Sequence, residues 1–241
     1  MDIDPTGWLR DAAIAVPLQL GQLPDGQQSL TIGDVRGYAA FNHLQGDNAD
    51  GDRGDCGIVC CADVLNQFAV RLLEEDVVRH ATSCHELHVV TGRPDQSGWT
   101  LPADQAAILT DYGVPARTGE GQSIEQLALA VQQGRGVIAM VNAGVLWSDP
   151  RVLGHGQANH AVTVTGIARD PLDGVLQGFY VNDSGTGQSG QFVSAHLMTT
   201  AFERTGGFCV VTDAAHTIAL SPGRSGTNAA PRGAAHHPTW P

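Results

Sequence analysis

Cationic side chains are scarce in this sequence. Lys and Arg number 13 against 25 Asp and Glu in 241 residues, a formal net charge of −12. Nucleic-acid phosphates are held by clustered Lys and Arg, so a nucleic-acid partner is not expected. Long apolar runs are missing too. The N-terminal stretch MDIDPTGWLRDAAIAVPLQL begins with acids and reads neither as a secretory signal nor as a transmembrane helix, so no membrane partner is expected. The cysteines, Cys56, Cys60, Cys61, Cys84 and Cys209, are odd in number and irregularly spaced. They do not form a disulfide framework, which points to a reducing, cytoplasmic location and leaves open export without a cleaved signal. What is present is ordinary for a soluble globular chain: 42% hydrophobic and 16% charged residues, with 30 Gly and 12 Pro that imply many turns. The length suits one large domain or two small ones, and no internal repeat is visible.

The most informative stretch is GDCGIVCCADVLN, Gly54 to Asn66. Cys56 stands directly before an apolar pattern of helical period (Ile58, Cys61 and Ala62, Leu65, Phe68 and Ala69, Leu72), which places it in the first turn of a helix. Unpaired N–H groups and the positive end of the helix dipole stabilise a thiolate there. Gly57 lets a substrate carbonyl approach the backbone. A buried structural cysteine is the rival reading, and a base elsewhere in the chain has to decide between them. Cys60 lies one turn further on. A bridge to Cys56 would have poor helical geometry, so Cys60 and Cys61 read as small core-filling residues.

Two motifs suggest cations without completing a site. In the loop QGDNADGDRGD, Asn48, Asp50 and Asp52 alternate as in a calcium loop, but the sixth and twelfth places, where Gly and Glu are needed, hold Arg53 and Val59. A solvated loop is the simpler reading. His80, Cys84 and His88 follow at i, i+4, i+8, a plausible zinc face on an unbroken helix, yet no fourth ligand is evident and a polar helix end explains them more simply. No metal and no organic cofactor is therefore assigned.

Along the rest of the chain, residues 1–40 read as an N-terminal arm or edge strands, with apolar pieces Ala13–Leu20 and Ser29–Ile32. A second helix covers Leu73–Ala81. Pro102 opens a further helix that Gly113 stops, and Ser123 with Gln126 makes a capping box for a helix ended by Gly134. Gly136–Ala143, His160–Gly166, Gln177–Val181 and Phe208–Thr212 read as strands, with a helix near Leu197–Arg204. Helices first and antiparallel strands afterwards give an α+β domain over 41–213. Residues 214–241 read as a disordered tail, whose His236–His237 pair could touch a metal.

The strands supply a base. His160 opens one apolar strand and Asp183 closes the next, in FYVNDSGTG. If the two pair as antiparallel neighbours, imidazole and carboxylate lie side by side. His160 could then take the proton of Cys56 while Asp183 fixes its tautomer. Asn182 is the alternative orienter, because adjacent strand residues face opposite ways. Without a partner, His160 would merely begin a strand and the Asn-Asp pair would make a turn.

GDCGIVCCADVL, GWTLPADQAAILTDYGVPAR, QSIEQLALAVQQGRGVIAMV, NHAVTVTGIARD and FYVNDSGTG, in that order between Gln45 and Thr212, resemble the papain-like cysteine peptidases of the bacteriocin-leader-processing, double-glycine type. More narrowly they resemble the stand-alone bacterial relatives of those domains. The resemblance implies a papain-like fold, with a helical half bearing the nucleophile, an antiparallel β half bearing the base, and a cleft between them. It also implies Cys56 as nucleophile, His160 as base and Asp183 as orienting acid. The family commonly places an oxyanion-hole Gln six residues before the Cys. Here that place holds Asp50, and Gln45 in LQGDN matches the family's Gln-Gly-Asp motif if ADGDRGD contains an insertion; Gln45 is favoured over a donor such as Asn48. The implied activity is peptide-bond hydrolysis on a peptide or protein substrate. Amidase, deamidase, ligase or transglutaminase chemistry is the alternative, in a toxin effector or a biosynthetic enzyme, and a non-catalytic binding module is a third reading. A toxin would call for an inhibitor or delivery partner.

Overall fold

The structure is a computed structural model that describes residues 14–216. The first residues of the expected arm, and most of the expected tail with His236 and His237, lie outside the described residues.

Eight antiparallel strands form one sheet, β1 (Leu18–Gln22), β2 (Gln28–Ile32), β3 (Ala116–Gly119), β4 (Arg135–Val141), β5 (His160–Arg169), β6 (Leu176–Asp183), β7 (Gln188–Ser194) and β8 (Cys209–Ala215). Strand β5 is the hub. One of its edges pairs first with β4, through Val141↔His160 to Ile138↔Thr163, and then with β2, through Ile32↔Ile167 to Leu30↔Arg169. Its other edge pairs with β6, and β7 follows β6. Strands β8 and β3 extend the sheet beyond β4. Because β5 has sheet on both edges and helices over both faces, residues 160–168 are all buried, which is why it reads as an unbroken apolar run.

Helices cover the two faces differently. On one face lie α2 (Cys56–Gln67), α3 (Glu74–Cys84) and α4 (Pro102–Asp111), whose Ile58, Leu65, Val77 and Ile108 pack with Ile138, Ala161 and Val210. On the other face lie α5 (Ile124–Gln132) and α7 (Ala195–Ala201), packed with Val137, Ala139, Val162, Phe179 and Phe202. Alternate residues of one strand thus serve different cores, Ile138 one and Val137 and Ala139 the other. Two short helices remain, α1 (Val35–Ala39) and α6 (Ala143–Leu146). Among the described residues no helix is long and apolar enough to cross a membrane.

Local chemistry explains most boundaries. Ser123 Oγ accepts from the Gln126 N–H at 3.3 Å while Gln126 returns Oε1 to the Ser123 N–H at 2.8 Å, which is the expected capping box. The apolar pattern after Cys56 continues to Leu72, but α2 stops at Gln67, because Ala69 adopts φ 62° and the Asn66 amide folds back to the Leu72 carbonyl at 3.0 Å. Phe68 and Leu72 still pack on the core without being helical. Strand β8 runs past Asp213 to Ala215, and His216 is buried against Tyr38 and Phe68, so the packed domain continues beyond the expected boundary at residue 213.

Phe179 is fully buried at the centre of the β half. Phe179→Ala should destabilise the fold by about 3–5 kcal/mol, because a cavity adds to the lost transfer free energy. Urea unfolding followed by circular dichroism measures this, and a loss below about 1 kcal/mol would contradict the packing described.

Candidate active site

Cys56 is the first residue of α2, with Asp55 as its N-cap, and its side chain is half-buried. The sulfur sits over the start of β5. It lies beside the His160 imidazole at one cavity and close to the N–H groups of Gly57 and Ala161, and its own S–H is directed at the Gly54 carbonyl at 3.8 Å. Burial raises the thiol pKa, but the charge of His160 and these nearby donors outweigh it, and the thiol is held below its ordinary value. Burial likewise disfavours the imidazolium, yet Cys56 and Asp183 together push His160 up to about 10. Both shifts favour thiolate beside imidazolium. The neighbouring thiols behave oppositely, since burial pushes Cys60 and Cys61 well up as they fill the helical core.

His160 Nε2 lies 2.8 Å from Asp183 Oδ1, which leaves Nδ1 for the thiol. Asp183 has no exposed surface, and a buried carboxylate needs donors. It has three: the His160 ring, the Trp147 Nε1–H at 2.6 Å to Oδ2, and the Gly185 N–H at 2.9 Å to Oδ1. Burial raises its pKa, but the His160 bond and charge with the other two donors bring it below the usual carboxylate range. Asn182 faces the other way. Its Nδ2 donates to Asp63 Oδ2 at 2.8 Å and to the Tyr38 carbonyl at 3.0 Å, and its Oδ1 accepts from the Gly190 N–H at 3.1 Å. Of the two sequence candidates, Asp183 is therefore the one in contact with His160.

Sequence reasoning missed Trp147 and the need for Gly185. The tilted Trp147 ring lies 5.1 Å from that of His160, and a Cβ on Gly185 would collide with Trp147 and crowd His160. The only sequence signal was a lone Trp in a loop rich in Gly, Asp and Pro. Gly57 is close-packed as well, because a Cβ there would strike Thr100 and buried Gln105.

The loop before Cys56 is not the solvated loop its composition suggests. Asp52 and Asp55 are buried, and Asn48 Nδ2 donates to the Asp52 carbonyl, to Asp55 Oδ2 and to Glu74 Oε1. Burial, and then the hydrogen bond to Glu74, push Asp55 up to about 9, so it is a neutral acid at pH 7. Glu74 stays charged through bonds from His43, Asp55 and Asn48. Asn48 is thereby committed to holding the loop. Gln45 ties the loop before Cys56 to the end of β6: its Nε2 donates to the Arg53 carbonyl, and its Oε1 accepts from Ser184, next to Asp183, at 3.3 Å.

Cys56 and His160 open onto a cavity of about 350 Å³ walled by Trp99, Leu101, Met140 and Phe208, with Asn159 and Thr205 as polar lining. The arrangement can attack an acyl carbon from sulfur and shuttle one proton.

With this geometry in hand, comparison with solved structures identifies the fold, which is the papain-like fold of a C39-like peptidase. A Bacillus anthracis protein described as a C39-like peptidase superposes with a TM-score of 0.50 at 15% identity, over 72% of this chain and 94% of that one. A double glycine motif protease from an AMS/PCAT transporter, solved with its leader peptide, gives a TM-score of 0.43 at 17% identity, over 66% of this chain and 84% of that one. No family model matches the sequence. Among curated proteins, uncharacterized proteins of Mycobacterium tuberculosis and Mycobacterium bovis are 28% identical over 198 residues, spanning 73% of this chain and 81% of theirs.

The lowered thiol and raised imidazole set the pH response. Alkylation of Cys56 by iodoacetamide should be nearly level across neutral pH and fall on the acid side as the thiolate is protonated, whereas an ordinary thiol gains almost tenfold per unit up to about 8.5. His160→Ala should slow alkylation at pH 7 by about thirtyfold or more, the thiolate fraction then being that of an ordinary thiol. A wild-type rate that climbs steadily through pH 8.5 would contradict the ion pair.

Proposed function

We propose that the protein is a cysteine peptidase that hydrolyses a peptide bond through a thioester acyl-enzyme, with Cys56 as nucleophile, His160 as base and acid, and Asp183 as orienting carboxylate. The observation that carries this reading is the placement of the Cys56 thiol, at the first turn of a helix, in one cavity with a buried imidazole whose Nε2 is fixed by a buried carboxylate.

The steps follow from those positions. Thiolate attacks the carbonyl carbon of a chain lying in the cleft. The C=O pair moves to oxygen, and N–H groups at the first turn of α2 stabilise the charge. His160 gives its proton to the leaving amine, and the C–N bond breaks to leave a thioester. Water then attacks with its proton passing to His160, and the acid leaves as the thiolate returns. Asp183 holds the ring and stabilises its charged form throughout. The apolar walls favour an apolar side chain beside the scissile bond. The amide hydrogen of Gln45 not given to Arg53 is the second oxyanion donor in this scheme.

Intact-mass measurement with an epoxysuccinyl peptide inhibitor should give one adduct that Cys56→Ala and His160→Ala abolish. In a peptide-library assay those two variants should lose about 10⁴-fold or more in kcat/KM, and Asp183→Asn roughly 10²- to 10⁴-fold. Wild-type protein that forms neither adduct nor cleaved peptide would overturn the assignment. Gln45→Ala should lower kcat by about 10²–10³ with little change in KM. An unchanged kcat would assign the oxyanion site to the backbone alone.

A further inference from the structure

A second group of reactive side chains lies in the helical half, where α3 and α4 end. His80 and Cys84 occupy i and i+4 of α3, hence one face. The helix closes at His85 with φ 62°, and the Glu86 N–H turns back to the Ala81 carbonyl at 2.8 Å, returning Glu86 toward the last turn. Asp111 is the last residue of α4. One donor atom from each of His80, Cys84, Glu86 and Asp111 lies within 4.8 Å of every other.

The spacings are those of ligands around one ion. With bonds of about 2.0–2.3 Å, tetrahedral donors lie about 3.3–3.6 Å apart. Here His80 Nε2 is 3.0 Å from Asp111 Oδ2, Cys84 Sγ is 3.7 Å from His80 Nε2, and Cys84 Sγ is 4.0 Å from Asp111 Oδ2. A second Cys-His-Asp relay is ruled out by the same contacts, because a relay needs the two ring nitrogens separately, and sulfur and carboxylate both meet Nε2. Two features mark the group as built. Tyr112 fixes the His80 ring from 4.8 Å while its own hydroxyl donates to the Asp76 carbonyl at 3.2 Å. Glu86 Oε2 is buried and without a hydrogen-bond partner among the described residues, so the carboxylate of this cluster member is not fully satisfied by protein donors. His88, which the sequence pattern grouped with His80 and Cys84, points elsewhere: it stacks on Trp99 at 3.8 Å and contacts Asp104 at 3.3 Å.

We propose that His80, Cys84, Glu86 and Asp111 bind one divalent cation of the zinc class and so tie the end of α3 to the end of α4. One sulfur, one imidazole and two carboxylates suit zinc better than the oxygen-seeking magnesium or calcium. Four protein ligands make a closed, structural site. It is independent of the chemistry at Cys56.

The test uses the full-length, demetallated chain carrying Cys56→Ala, His236→Ala and His237→Ala, which removes the other thiol-imidazole pair and the tail histidines. Titration with Co²⁺ should show a thiolate-to-metal charge-transfer band saturating at one equivalent, and Zn²⁺ should displace it. Cys84→Ser, a near-isosteric change at an exposed position, should remove the band and weaken Zn²⁺ binding at least about tenfold. Asp111→Asn should keep the band but weaken affinity. Zinc should raise Tm in the parent and not in Cys84→Ser, with metal-free Tm values and circular dichroism of the two matching. No band, a band that survives Cys84→Ser, or equal zinc stabilisation of both proteins would overturn the site.

Discussion

The hydrogen bond between His160 and Asp183 is the constraint on which the rest of the site depends. Both groups are almost wholly removed from water, and an ionised carboxylate so placed is tolerable only with a full set of donors. That requirement reaches through the β half. It needs β5 and β6 in their observed register, Trp147 in the loop after α6 presenting its indole N–H, and a residue without a side chain at 185 so that the indole and imidazole can close over the carboxylate. Alternation along β6 then gives Asn182 a different task. It ties β6 to α2 through Asp63, and so connects the strand carrying the acid to the helix carrying the thiol.

Charge is managed just as closely around the nucleophile. In a protein of net charge −12, a thiol whose pKa is lowered has to be kept apart from anions. The immediate neighbour, Asp55, would be the worst offender, yet it shares a hydrogen bond with Glu74 in a buried cluster and is kept neutral. Glu74 carries the charge instead, compensated by His43, whose pKa its hydrogen bond to Glu74 raises. What Cys56 meets directly is favourable to sulfur's charge: the first turn of a helix, two backbone N–H groups and an imidazolium.

Much of this was legible from the chain because it is written in local pattern. An apolar period behind GDCG puts Cys56 at a helix start, and an apolar strand opened by His160 beside one closed by Asp183 puts imidazole and acid at neighbouring strand ends. Strands β3 and β7 have no clear signal, since ARTG and QSGQFVS are short, mostly polar and largely exposed or half-buried. Apolar periodicity overruns the end of α2 because it reports packing, and Phe68 and Leu72 pack half-buried on the core without being helical. The acidic loop reads as solvated because composition cannot show that Asn48 ties the Asp52 carbonyl and the Asp55 carboxyl inward. His88 illustrates the same limit: spacing along a helix is uninformative once the helix has ended at Cys84. Partners brought from a distance, Trp147 to Asp183 and Asp111 to Cys84, have no local signature at all.

The order in which the site's residues occur along the chain has a consequence for its synthesis. The thiol emerges from the ribosome early, whereas His160, Asp183 and the strand β8 that completes the sheet beside β4 come much later. Until β5 and β6 have emerged and paired, Cys56 lacks the imidazolium that sustains its charge and is a thiol of ordinary acidity. The setting that lowers the thiol's pKa therefore arrives with the pairing of β5 and β6 rather than with Cys56 itself.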